Sequence, residues 1–401
     1  MSNHIRANPG GEIAPDEVLG RDALIAQIWE TLERQSLVLV AERRMGKSTV
    51  IKKMAKEAPP GRVTLYRDVE GIDTPIGFAE RVYRDLEAHL SMRKRTAART
   101  RRLIEQVGGV ELAGMVKLPP SLAPHWKALL ETVVDDLVGS GGRPVVLFWD
   151  EVPLMLMKIQ RTSGDEAAME VLDVLRALRQ SHSRLRMVLT GSIGLHHVTA
   201  GLRDRGHAND AINDMRVIEV PPLAGADGRE LARRLLQGEG VPCDDLAATA
   251  STLSAAVDHI AFYIHHVVSS LRALGARADP ASAERIVAES LVDPMDVWHL
   301  EHFQSRLKEY YGEDRVPIAT GILDAAARTD RWVSEGEILS SLALQLPTPT
   351  ETSPRQEREI VRQLLLLLQR DHYLRKEPGT GAYRFRFPLI RRWWCLRNNL
   401  V

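Results

Sequence analysis

Residues Leu37-Val38-Leu39-Val40-Ala41-Glu42-Arg43-Arg44-Met45-Gly46-Lys47-Ser48-Thr49 run from an apolar stretch through a polar turn into a helical pattern that begins near Lys47. A strand, a tight loop and a helix opening on Lys-Ser form the context that a phosphate-binding loop requires. The first amides of such a helix lack intrahelical acceptors and carry the positive end of its dipole, so they favour an anion. Glu42, Arg43, Arg44, Met45, Gly46, Lys47, Ser48 and Thr49 are therefore the candidate nucleotide contacts. Lys47 adds charge toward the β/γ-phosphates, and the Ser48 hydroxyl is a candidate Mg²⁺ ligand. The G-x-x-x-x-G-K-[ST] spacing is missed only at its start, where Ala41 stands in place of glycine. A Cβ there costs roughly 1–2 kcal/mol if φ is positive and almost nothing in extended backbone, which is the expected geometry. A plain strand–turn–helix with a chance Gly-Lys-Ser is the competing reading.

A second motif weighs against it. Pro144-Val145-Val146-Leu147-Phe148-Trp149-Asp150-Glu151 is a continuous apolar run closed by two carboxylates. Such runs belong to parallel sheets covered on both faces, whose ligands bind beyond the carboxyl ends of the strands. Asp150 would then reach a Mg²⁺ ion directly or through water, and Glu151 would orient or deprotonate an attacking water.

At 401 residues the chain exceeds one average core, so two or three domains are expected. Lys and Arg total 53, as do Asp and Glu, so no global field draws the protein to nucleic acid or membrane. Cys243 and Cys395 are far apart and have no metal partner at finger spacing, so neither a disulfide framework nor a zinc site is indicated, and a reducing cytoplasm fits. Neither a secretory leader nor a membrane-length apolar run is apparent.

Residues 1–15 are Gly/Pro-rich and read as an arm. Leu19-Gly20-Arg21 precedes an amphipathic helix marked by Leu24, Ile25, Ile28 and Leu32, and is either a nucleotide-base contact or a simple capping turn. After the loop, a helix to about Glu57 stops at Pro59-Pro60-Gly61, and Arg62 to Glu70 is the second strand. A helix opening at Thr74-Pro75 leads to a block running from Arg93-Lys94-Arg95 to Arg102 with six positive charges and no acid. That insertion, about 91–124, suits either phosphate backbones or solvent. Helices are expected over Trp126–Val138 and Asp165–Gln180, with strands at Leu185–Leu189 and Arg216–Val220.

Thr190-Gly191-Ser192 ends the Leu185 strand, so the Thr190 or Ser192 hydroxyl is a candidate γ-phosphate sensor. Gly201-Leu202-Arg203-Asp204-Arg205 reads as a rim loop, making Arg203 and Arg205 candidate arginine fingers across a subunit boundary. From Gly225 to about Ser290 the chain is helical and Ala-rich. His259, His265 and His266 lie there without a carboxylate or thiol at metal spacing, so they read as core or surface residues.

The last hundred residues change character. Helices at about Val297–Tyr311, Pro317–Arg328, Glu335–Leu342 and Arg355–Arg370 precede two strands around Pro378-Gly379-Thr380-Gly381, the pattern of a winged helix. In the second strand Tyr383, Phe385 and Phe387 alternate with Arg384 and Arg386, giving one apolar and one basic side. Arg375, Lys376, Arg384 and Arg386 are the candidate DNA contacts there; the same module also docks proteins.

Together, Leu-Gly-Arg, Ala-Glu-Arg-Arg-Met-Gly-Lys-Ser, Phe-Trp-Asp-Glu, Leu-Thr-Gly-Ser and the closing Tyr-Arg-Phe-Arg-Phe-Pro-Leu-Ile-Arg-Arg-Trp-Trp resemble the archaeal-type ATPase family of the AAA+/STAND P-loop group. The resemblance implies an α/β P-loop NTPase with a five-stranded parallel sheet over 16–222, a helical lid over 223–292 and a winged-helix domain over 293–401. It further implies ATP and Mg²⁺ as cofactors, hydrolysis with Lys47, Ser48, Asp150 and Glu151 in the roles above, and ATP-dependent homo-oligomerisation. Where relatives often show Gly-x-Pro in the lid, this chain reads Val257-Asp258-His259-Ile260. Three functions are expected in descending order: a hydrolysing switch that controls assembly or partner binding and engages nucleic acid, a non-hydrolysing ATP-dependent DNA scaffold, and a protein-docking signalling ATPase.

Overall fold

The computed structural model describes residues 5–90, 102, 110–112, 115–117, 120–139, 142–191, 194–204, 211–345 and 354–400. Arg93, Lys94, Arg95, Ser192 and Arg205 lie outside them, as does most of the basic insertion. The chain divides into two compact units. One comprises Ala14–Ala41 and Gly46–Val220, the other Met1–Ile13, Glu42–Met45 and Pro221–Val401.

The first unit is built on an all-parallel five-stranded sheet. Its strands are β1 (Leu37–Val40), β2 (Val63–Asp68), β5 (Val145–Asp150), β6 (Leu185–Thr190) and β7 (Arg216–Glu219), in the order β2-β5-β6-β1-β7. A separate antiparallel hairpin pairs β3 (Val110–Leu112) with β4 (Met115–Lys117). Every residue of β5 is buried, as expected of a strand covered on both faces. On one face, Val145, Leu147 and Trp149 join a core with α3 (Pro75–Leu90), α4 (Trp126–Gly139), α5 (Val152–Ser163) and α6 (Asp165–Ser181), while on the other Phe148 meets Trp29 edge-on at 6.1 Å. Phe78 of α3 meets Trp149 edge-on at 5.1 Å, and Leu129, Val133, Met155, Ile159, Leu172 and Leu175 continue the same core. Before β1, α1 (Asp22–Arg34) buries Ile28 and Leu32. After β1 comes α2 (Lys47–Lys56), which buries Val50, Ile51 and Met54.

One helix, α5, lies where the sequence raised no expectation, and another replaces an expected loop. Residues after Glu151 form α5 at once, because Glu151 takes a left-handed turn (φ 59) and Pro153 is tolerated in the first turn. Gly201–Asp204, expected as a rim loop, instead closes α7 (Leu195–Asp204), with Leu195, Val198 and Leu202 in the core. Apolar spacing of three and four overrides the glycine at 201.

In the second unit, helices α8 (Gly225–Gly238), α9 (Leu246–Ala256), α10 (Ala261–Leu274) and α11 (Pro280–Leu291) follow one another. His265 and His266 lie on α10, while His259 precedes it with φ 57. The N-terminal segment packs on these helices: Ile5 is buried, the Ala7 amide donates to Glu239 Oε1 (2.8 Å), and the Asn8 amide donates to His265 Nδ1 (3.1 Å). Next come α12 (His302–Tyr310), α13 (Val316–Ala327), α14 (Glu335–Gln345), α15 (Pro354–Arg370), an antiparallel pair β8 (Leu374–Lys376) and β9 (Tyr383–Phe385), and α16 (Pro388–Arg397). Val333 and Tyr383 exchange both backbone hydrogen bonds at 2.8 Å, so a single-residue bridge flanks the two-stranded pair. Tyr383, Phe385 and Phe387 are buried as the alternation required. No helix among the described residues is long and apolar enough to cross a membrane.

Candidate functional site

Gly46 caps α2 in the left-handed region (φ 88, ψ 27), a conformation that glycine adopts without steric cost. Arg44 also has positive φ (71), whereas Ala41 is not among the residues that do. The alanine in place of the first glycine is therefore unstrained. Buried Lys47 opens α2 and its Nζ donates to the Ala41 carbonyl at 2.8 Å.

Strand register assembles the acidic side. β2 and β5 pair Asp68 with Asp150, and β5 and β6 pair Trp149 with Leu189, so Asp150 and Thr190 both follow in step. Asp68, Asp150 and Thr190 therefore end three adjacent strands at one edge of the sheet. Asp150 is 2% exposed, accepts the Glu151 amide at 3.1 Å, and has the Tyr66 hydroxyl 3.4 Å from Oδ2. Burial raises its pKa, the Ser48 hydroxyl hydrogen bond opposes this, and the like charge of Asp68 raises it further; Glu151 N–H and Lys47 lower it, and the net direction is upward. Oxygen donors alone, with a carboxylate whose charge is poorly solvated, suit a hard divalent cation such as Mg²⁺.

Glu151 projects from its left-handed turn toward Gly191. A Cβ built on Gly191 would lie 3.4 Å from Glu151 Oε2 and 2.5 Å from Pro153 Cδ, so only glycine leaves room here. Thr190 is 2% exposed and its Oγ1 has no hydrogen-bond partner. A buried unsatisfied hydroxyl costs about 1–3 kcal/mol and is rare in native folds. It stands at the carboxyl end of β6, beside Asp150 at the end of the neighbouring strand.

Leu19, Gly20 and Arg21 lead into α1, with Gly20 in the left-handed region (φ 67) and Arg21 buried. Pro15, just upstream, accepts Lys53 Nζ from α2 at 2.6 Å. Arg203 lies in the last turn of α7 rather than on a loop.

Within the second unit, Glu42 holds a place that the sequence did not disclose. Its carboxylate is 2% exposed and receives both terminal nitrogens of Arg306, Nη1 at 3.1 Å on Oε1 and Nη2 at 3.0 Å on Oε2. His302 Nε2 lies 3.3 Å from Oε1, and the Arg43 amide donates to the same oxygen at 2.7 Å. Burial pushes the Glu42 pKa up, but Arg306, then His302 and the Arg43 amide, outweigh it and hold the group well below the usual carboxylate range. The Arg44 guanidinium stacks over Phe262 at 4.4 Å. On β8 and β9, Arg375 and Arg384 are paired in register and flank the Trp332 ring at 5.2 and 4.2 Å.

Sheet order, loop and acid pair define a P-loop NTPase fold. Residues 31–199 match the family described as an AAA domain. Among solved structures, the fold is similar to a Walker-type ATPase of Pyrococcus abyssi, with a TM-score of 0.63, 17% identity, and coverage of 94% of this chain and 96% of that one. It is also similar to the ORC2 protein of Aeropyrum pernix in ADPNP-ADP complexes, with a TM-score of 0.51, 13% identity, and coverage of 100% and 96%. No curated protein matches the sequence significantly.

Proposed function

We propose that the protein binds Mg-ATP at Lys47, Ser48 and Asp150, hydrolyses it, and uses the cycle to control its own assembly or the binding of a partner, nucleic acid foremost. The observation that carries this is the Ser48–Asp150 hydrogen bond, which joins the phosphate loop to the acidic strand as a shared ion requires. Ser48 and Asp150 would hold the Mg²⁺, which when bound neutralises phosphate charge. Lys47 trades its Ala41 carbonyl for phosphate oxygens. Glu151 orients the attacking water and takes its proton, and the Thr190 hydroxyl donates to the γ-phosphate.

We read residues 293–401 as a winged helix, with Val333, β8 and β9 as its sheet. Its basic face would engage phosphate backbones through Arg375, Lys376, Arg384 and Arg386, two of them stacked on Trp332. ATPase activity measured with and without DNA, alongside Lys47→Ala and Glu151→Gln, tests the reading. Turnover that both substitutions abolish supports it; equal turnover in all three proteins rejects it.

A further inference from the structure

We propose that Arg306 is a positioning residue of the phosphate loop, acting through Glu42, although it lies far outside the segment 31–199 that matches an AAA domain. The inference rests on the nucleotide reading above. Arg306 is itself fixed on every side. Its Nη2 donates to the Asp371 carbonyl at 2.6 Å, its Nε to the Tyr373 hydroxyl at 3.3 Å, and its guanidinium lies 4.6 Å from the Tyr373 ring centroid. The Tyr311 hydroxyl donates to Asp371 Oδ2 at 2.6 Å, and Tyr373 also hydrogen-bonds the Phe303 carbonyl. The fork that meets Glu42 is thus held by α12, by the turn after α15 and by the residue before β8.

Glu42 passes this constraint to the backbone, because the oxygen that takes Arg306 Nη1 also takes the Arg43 amide. Arg44 follows at once in the left-handed region and is clamped on Phe262. Arg44 is not glycine, and a non-glycine residue keeps positive φ only where its surroundings impose it. Buried ion pairs of this kind can often be replaced by apolar side chains without loss of stability. Their contribution is geometric: they fix where one segment sits against another. Here the segment is the loop whose next amides, from Gly46 to Thr49, are the proposed phosphate contacts. Arg306 therefore sets the loop's readiness for nucleotide without touching it.

Equilibrium binding of mant-ATP with Mg²⁺, measured beside thermal melting, tests the proposal on Arg306→Ala, Glu42→Ala and their double variant. Each single variant is expected to weaken binding about tenfold or more, as misplacement of binding groups does. The double variant is expected to be no weaker than the worse single one, because both act through one contact. Arg306→Lys, which keeps the charge and loses the two-pronged geometry, is expected to be intermediate; it also serves if the alanine variants do not fold. Wild-type affinity in Arg306→Lys and Arg306→Ala, or additive losses in the double variant, would overturn the proposal. Failure of the unmodified protein to bind mant-ATP would reject the nucleotide reading itself, and the role of Arg306 with it.

Discussion

The Ser48 hydroxyl, in the first turn of α2, is hydrogen-bonded to the Asp150 carboxylate at the tip of β5. These residues belong to motifs about a hundred positions apart in sequence, and the fold brings them together. That hydrogen bond lowers the pKa of a carboxyl that burial and Asp68 push up.

Lys47→Ala and Glu151→Gln each remove one charged group from this arrangement. Each is expected to reduce ATP turnover at least ~100-fold, the scale on which charge stabilisation and acid–base help operate. Lys47→Ala should also weaken nucleotide binding, whereas Glu151→Gln should leave it intact. A phosphate-release assay beside mant-ATP titration separates the two effects.

Thr190→Val tests the orphaned hydroxyl. The substitution keeps the shape and removes a buried group without a partner, so the melting midpoint should hold or rise. Turnover should fall about tenfold or more, as when a transition-state donor is lost. A lowered midpoint with unchanged turnover would show that the hydroxyl serves the fold instead.

The Glu42–Arg306 pair carries a separate stability prediction. Arg306→Met leaves a buried carboxylate without its partner and should cost about 3–5 kcal/mol, while adding Glu42→Leu should recover most of that loss. Denaturant melts of the single and double variants measure it. A double variant as unstable as the single one would contradict the arrangement.

Asp258 makes stability depend on pH. Burial pushes its carboxyl up to about 6, against the opposing Leu389 amide hydrogen bond and the Arg392 charge, from about 3.9 in an unfolded chain. Between those values the folded chain holds a proton that the unfolded chain has released, so this group's contribution falls as pH rises through the window and is level above it. Asp258→Asn keeps an acceptor for the Leu389 amide, 2.8 Å away, and removes the titration. It should raise stability near neutral pH by on the order of 2–3 kcal/mol and flatten the profile between about pH 4 and pH 6. A profile unchanged by the substitution would contradict the assignment.

Much of this architecture was readable from residues alone, and particular stretches explain where that ended. Leu37–Val40 and Val145–Asp150 announced parallel strands because an apolar run without alternation has few other homes. The strand–loop–helix turn was legible because the apolar run stops at Val40 and Gly46 suits a left-handed cap before the helix at Lys47. Helix α5 was hidden behind Glu151 and Pro153, whose sequence looks like a turn. Helix α7 was hidden by Gly194 and Gly201. The Asp68–Asp150 register and the Glu42–Arg306 pair depend on chain segments meeting in space. No periodicity within either segment records such a meeting, although a carboxylate within an otherwise basic phosphate loop was a hint that it needed a distant partner.

The most direct measurement is a crystal structure of the protein with Mg²⁺ and a non-hydrolysable ATP analogue. The account predicts a metal touching the β- and γ-phosphates and Ser48 Oγ, with Asp150 bound to it directly or through one water, and Lys47 Nζ moved from the Ala41 carbonyl onto phosphate. An analogue bound elsewhere, with the Ser48–Asp150 hydrogen bond and the Lys47–Ala41 contact unchanged, would contradict it.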